Sequence, residues 1–108
     1  MRFEIKAQTG VTQLAIEGEL DAVSVSELRP DLEKLVKSKP TSVEVDLSSL
    51  RMVDSSGVGT LVSLYKQVRA NGGEVVITGL RDQPLAIFRL LRLDRVMSAG
   101  GPGPKSES

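Results

Sequence analysis

Phe3, Ile5 and Ala7 alternate with Arg2, Glu4 and Lys6, and Val43, Val45 and Leu47 alternate with Glu44 and Asp46. A period of two with one polar set belongs to a strand that buries one face and leaves the other in water. Both strands therefore argue against a sheet covered by helices on its two faces, which would need apolar residues throughout. They call for a sheet covered largely on one side. Between them, Gln8-Thr9-Gly10 supplies turn chemistry, and Val11 to Glu17, with Leu14 and Ile16 two apart, returns as an antiparallel partner of the first strand. Glu74-Val75-Val76-Ile77-Thr78 differs in being a continuous apolar run, and reads as the central, best covered strand.

The covering layer comes from three segments with helical spacing. Leu28, Leu32, Leu35 and Val36 form the stripe of a first helix, with Ser24 and Glu27 as a capping box. Pro30 removes one backbone hydrogen bond and predicts a kinked or two-step start; Lys34, Lys37 and Lys39 followed by Pro40 close the helix. A second helix spans Ser55 to Ala70 on Val58, Leu61, Val62, Tyr65 and Val68, and Asn71-Gly72-Gly73 stops it. A third starts after Asp82, with Pro84 near its first position and Leu85, Phe88 and Leu91 along one side. Val96-Met97 is a candidate for a very short last strand. The order β-β-α-β-α-β-α-(β) predicts a single α/β domain over residues 1–98, with a mixed, mostly parallel sheet and right-handed crossovers. Residues 99–108, rich in Gly, Pro and Ser, read as a flexible tail.

Composition narrows the chemistry. The 108 residues include no His and no Cys, which removes the commonest general base and metal ligand, the thiol nucleophile and every disulfide. No residue set supplies a nucleophile with its base, so a catalytic site and a metal site are both unexpected. Charges balance at 14 basic against 14 acidic, and the aromatic residues are only Phe3, Tyr65 and Phe88, which argues against a nucleic-acid binder. The charged N-terminus is unlike a signal peptide and no run approaches transmembrane length, so a soluble intracellular protein is expected, without membrane insertion.

One stretch, Met52-Val53-Asp54-Ser55-Ser56-Gly57-Val58-Gly59, stands where a strand ends and a helix begins. Helix starts favour anions, and ligands of open α/β sheets sit at the carboxyl ends of parallel strands. Two glycines in a first helical turn cost about 1 kcal/mol each against Ala, so something other than helix stability explains them. Either they allow close packing while Asp54 or Ser55 caps the helix, or Gly57 leaves an exposed serine open to an approaching partner. Such a serine suits reversible phosphorylation. A dinucleotide site is rejected, because Val62 replaces the third glycine of that fingerprint and Thr78-Gly79 stands where an acidic ribose ligand is needed. Glu17, Glu19 and Asp21 read as a solvated acidic loop, and Arg81, Arg89, Arg92 and Arg95 as the exposed side of the third helix.

Gly18-Glu19-Leu20-Asp21, the run from Asp46-Leu47-Ser48-Ser49 through Asp54-Ser55-Ser56-Gly57-Val58-Gly59 to Tyr65-Lys66, and Gly72-Gly73-Glu74-Val75-Val76 together resemble the bacterial anti-sigma factor antagonists, single-domain members of the STAS superfamily. The resemblance spans about residues 3 to 97. It implies a first strand antiparallel to the rest and helices mainly on one face of the sheet. It also implies that Ser55 is phosphorylated by a serine kinase that is itself the anti-sigma factor and binds the ATP. The unphosphorylated antagonist would bind that kinase and release the sigma factor, and the phosphorylated form would let go. Asp21, Asp54, Ser55, Ser56, Gly57 and Val58 are the implied partner-binding residues of a cytoplasmic protein, monomeric when free and without a cofactor of its own. The alternative is a constitutive STAS scaffold or transporter-associated subunit, in which Ser55 is a helix cap only. Many relatives continue into a terminal helix, where this chain passes from Val96-Met97 into its Gly/Pro tail.

Overall fold

In the computed structural model, residues 1–97 are described. The elements are β1 (Arg2–Ala7), β2 (Val11–Leu20), α1 (Ala22–Lys37), β3 (Ser42–Asp46), β4 (Leu50–Val53), α2 (Ser55–Ala70), β5 (Glu74–Thr78), α3 (Asp82–Leu90) and α4 (Leu93–Val96). The expected tail at 99–108, and with it the domain boundary at residue 98, lies outside the described residues.

The strands form a mixed sheet in the order β1-β2-β3-β5, with β4 paired to the end of β2. β1 runs antiparallel to β2, and every other pairing is parallel. Parallel register aligns Leu14, Val45 and Ile77 in one row across the sheet and Thr12, Val43 and Val75 in the next. These rows face the helices, and all six residues are buried. On the opposite face Gln13, Glu44 and Asp46 are exposed, and the Gln13 side-chain amide donates to Glu44 at 3.2 Å. The half-polar strands thus produce the one-sided architecture that their alternation requires. Leu28, Leu32 and Leu35 of α1 and Leu61, Leu64 and Val68 of α2 close the core over the apolar face. No helix among the described residues is long and apolar enough to cross a membrane.

Several expectations are corrected. β5 is an edge strand rather than the central one; its apolar run reflects packing beneath α2, with Val76 and Thr78 half-buried on the open face. The true centre is β2, which pairs with β1, β3 and β4. β4 is an element the sequence does not announce, because Leu50 and Val53 are buried with exposed Arg51 and Met52 between them, a pattern that does not alternate. Val96-Met97 does not form a strand. Arg92, in the left-handed region at φ 60°, breaks the chain after α3, and α4 then delivers Met97 to the core. An isolated apolar doublet carries no period, so helix and strand are indistinguishable there from sequence.

The start of α1 also differs. Asp21, not Ser24, is the N-cap: the Ser24 amide donates to Asp21 Oδ1 at 3.0 Å while the Asp21 amide donates to Ser24 Oγ at 2.8 Å. The capping box is therefore Asp21 with Ser24, and Glu27 is exposed on the helix. Pro30 lies inside a helix assigned without interruption from Ala22 to Lys37, on its exposed side. Its missing N–H leaves the carbonyl of Ser26, itself an exposed residue, facing water rather than the core. In α2 the buried stripe runs through Leu64, with Val62 and Tyr65 at its margins. In α3 Pro84 and Phe88 are the buried pair, and Leu91, placed on the buried side by spacing alone, is 51% exposed beyond the helix end.

Phe88 is fully buried and ties α3 into the common core. Phe88→Ala should cost about 3–5 kcal/mol through lost burial and a residual cavity, read as a lower urea midpoint.

Candidate functional site

β2 and β4 run parallel and stop together, with Leu20 opposite Val53. The Asp54 amide donates to the Leu20 carbonyl at 3.2 Å, and after that bond the two chains turn into helices. Each turn begins with an aspartate. Asp21 caps α1, and Asp54 caps α2 by accepting from the Gly57 amide at 3.0 Å. Short carboxylates suit these positions because helix-start N–H groups lack intrahelical acceptors. Two acidic caps and two helix N-termini consequently lie side by side at the carboxyl edge of the sheet.

Ser55 is the first residue of α2 and is exposed, as is Ser56. Because Asp54 supplies the cap, the Ser55 hydroxyl is not engaged in capping. Gly57 and Val58, by contrast, are buried. A Cβ on Gly57 would lie 2.6 Å from Val53 Cγ2 and 2.7 Å from the Leu20 carbonyl oxygen, so this glycine lets α2 approach the ends of β2 and β4. The idea that Gly57 clears space for an approaching partner is corrected: it faces inward. Gly59 is the glycine that faces outward, exposed and with nothing within 4 Å of a Cβ built on it. It borders a groove of about 590 Å³ between α1 and α2, which Arg29 and Leu32 line on one side and Ser55, Ser56 and Thr60 on the other.

The Asp21 carboxyl is held below its ordinary aspartate pKa, first by the Ser24 amide and next by the Ser24 hydroxyl, both of which stabilise the charged form. Elsewhere, Glu17 and Glu19 are exposed, as are Arg81, Arg89, Arg92 and Arg95. Among the described residues no His, Cys, Asp or Glu side chains gather as a metal-holding group.

Gln83 escaped the sequence reading. Its carboxamide, half-buried in the first turn of α3, accepts from the Val53 amide at 2.9 Å and donates to the Val53 carbonyl at 3.0 Å. Nothing in the local sequence marks it, since the contact exists only once β4 has formed and α3 has docked.

The family model for the STAS domain matches residues 2–105. An anti-sigma-B factor antagonist of Listeria monocytogenes is 27% identical over 96 residues, covering 88% of this chain and 84% of that protein. Among solved structures, an anti-sigma factor antagonist from Mycobacterium paratuberculosis aligns with a TM-score of 0.81 at 20% identity, covering 91% of this chain and 83% of that one. The Bacillus cell fate determinant SpoIIAA in its phosphorylated form aligns with a TM-score of 0.74 at 20% identity, covering 93% and 92%. The two structural likenesses establish a common fold.

Gly57→Ala should lower the melting temperature because its Cβ meets backbone, whereas Gly59→Ala should raise stability by roughly 1 kcal/mol by improving helix propensity at an open position. For Asp21, a folded pKa below the unfolded one contributes stability that is present above the unfolded value and lost as pH falls through the folded value. Asp21→Asn, which keeps the cap but not the charge, should flatten the acid limb of a urea-midpoint-versus-pH profile.

Proposed function

Because this chain belongs to the STAS domain family, we propose that it is an anti-sigma factor antagonist switched by phosphorylation of Ser55. In this reading the unphosphorylated chain binds a serine kinase that doubles as an anti-sigma factor, and the bound sigma factor is released. The partner binds the ATP. Its γ-phosphoryl group moves to Ser55 Oγ, the hydroxyl proton passes to the kinase, ADP departs, and the modified chain lets go. This chain is the binding protein and substrate, not the enzyme.

The observation that carries the reading is an exposed serine at the first position of α2 whose helix is already capped by Asp54. A serine spent on capping would have its hydroxyl oriented by the helix; this one is available. The helix start also tolerates the product, since a group carrying about −1.5 to −2 charge is favoured beside free N–H groups. The fold need not rearrange, and the energetic cost falls on the complex. Asp21 and Asp54 flank the phosphate, so the modified surface becomes strongly anionic and repels any acidic partner group that the unmodified surface accepts. Asp21, Asp54, Ser55 and Ser56 form the contact face, while Gly57 and Val58 support it from beneath. The likeness to the Listeria antagonist along most of both chains supports the same reading, and SpoIIAA is a fold neighbour that exists in a phosphorylated form.

Incubating the chain with the kinase and ATP should add one phosphate by intact mass, and Ser55→Ala should abolish it. Ser55→Ala should then bind the kinase persistently. Ser55→Asp should weaken the complex, and a loss of about 3 kcal/mol would appear as a more than hundredfold rise in Kd by calorimetry. A chain that stays unmodified beside a kinase shown to be active, or that binds a transporter subunit equally well with and without Asp at position 55, would instead identify a constitutive scaffold.

A further inference from the structure

β4 is short, pairs with β2 along one edge only, and ends at the residue before the Asp54-Ser55 junction. The Val53 amide and carbonyl point away from β2, and Val53 is buried, so both groups need a partner that is not water. Gln83 supplies both, its carboxamide donating and accepting as a neighbouring strand would. Two features hold that side chain in place. Pro84 and Phe88 anchor α3 in the core next to it. Asp82, immediately before it, sits at φ 53°, a left-handed conformation that costs a non-glycine residue energy and sets the direction of the first turn. The amide then has one orientation that satisfies both of its bonds.

We propose that Gln83 is a positioning residue for Ser55. Its carboxamide completes the free edge of β4, fixes where the chain leaves the strand, and through the Asp54 cap sets how the first turn of α2 presents the serine hydroxyl. The role rests on the reading of Ser55 as the phosphoacceptor; the clamp itself is a property of the chain alone. Without the clamp, Val53 loses both hydrogen bonds on its free edge and β4 is held there by packing alone, and the Asp54 amide, bonded to Leu20, is next to loosen.

The first test uses the chain alone. In Gln83→Ala, amide hydrogen exchange by NMR should speed up at Asp54, Gly57 and Val58 by roughly tenfold or more beyond the change at Val43 and Val45, buried in β3 with their amides turned toward β5, which report global opening. Gln83→Glu keeps the acceptor for the Val53 amide but sets a carboxylate oxygen against the Val53 carbonyl, so it should also speed exchange at the three junction amides, and serves if Gln83→Ala folds poorly. Equal acceleration at all five amides, or none, overturns the clamp. The second test uses the kinase that labels the wild-type chain. Gln83→Ala should lower kcat for phosphorylation by about tenfold or more with KM within about threefold, because the face is intact but the hydroxyl is misplaced. Val75→Ala, buried in β5 away from the junction, gives a destabilised control that should keep the wild-type kcat. A kcat for Gln83→Ala equal to that of this control overturns the positioning role. If the wild-type chain itself takes no phosphate, the reading of Ser55 fails, and the exchange measurement still decides whether Gln83 holds the junction.

Discussion

The parallel pairing of β2 with β4, with Leu20 opposite Val53, is the contact on which the rest of the site depends. It places two strand ends, and hence two helix starts, in register at one edge of the sheet. Each helix start has unsatisfied N–H groups, and each is met by an aspartate from its own chain turn. A surface with paired acidic caps and a serine beside them follows directly. Were β4 to slip by one residue, Val53 would turn outward and the Asp54 cap would lose its geometry.

The two glycines of α2 show how one motif combines unlike demands. Gly57 has backbone and core atoms within 3 Å of where a Cβ would stand, so packing accounts for it. Gly59 meets nothing, and the fold derives no benefit from it. Close packing therefore holds at Gly57 and not at Gly59, and the open approach expected at Gly57 is absent there; the open space lies further along the helix, beside Gly59. The groove beside Gly59 begins at Ser55 and runs between α1 and α2. Electrostatically the same region is poised. The chain carries no net charge, so a phosphate on Ser55 would add about −1.5 to −2 at a single point already flanked by two carboxylates.

Much of the fold was legible in the sequence where a period was sustained. The alternation in β1 and β3 announced a one-sided sheet, and the limits of α2 and β5 coincide with what their spacing and flanking glycines indicate. The errors have common causes. β4 has too few residues for a period, Met97 belongs to a doublet with none, and Leu91 continues a helical stripe one residue past the end of α3, next to the left-handed Arg92. β5 lies at the sheet edge despite its apolar run, because such a run records burial, not position in the sheet. Asp54 and Ser55 stand out because they lie in one local motif, whereas Asp21, which its spacing places in a solvated acidic loop, is marked only by the family resemblance. Gln83 is marked by neither, because its partner Val53 is remote in sequence.

The sequence by itself determined the elements, the polarity of the sheet and the chemistry available at the junction, since these depend on residues close together in the chain. Tertiary structure decided which glycine packs and which is open, that Asp54 rather than Ser55 caps α2, and that Gln83 completes the edge of β4. Each of these turns on where non-neighbouring backbones come within a few ångströms of one another, a distance that no local pattern encodes.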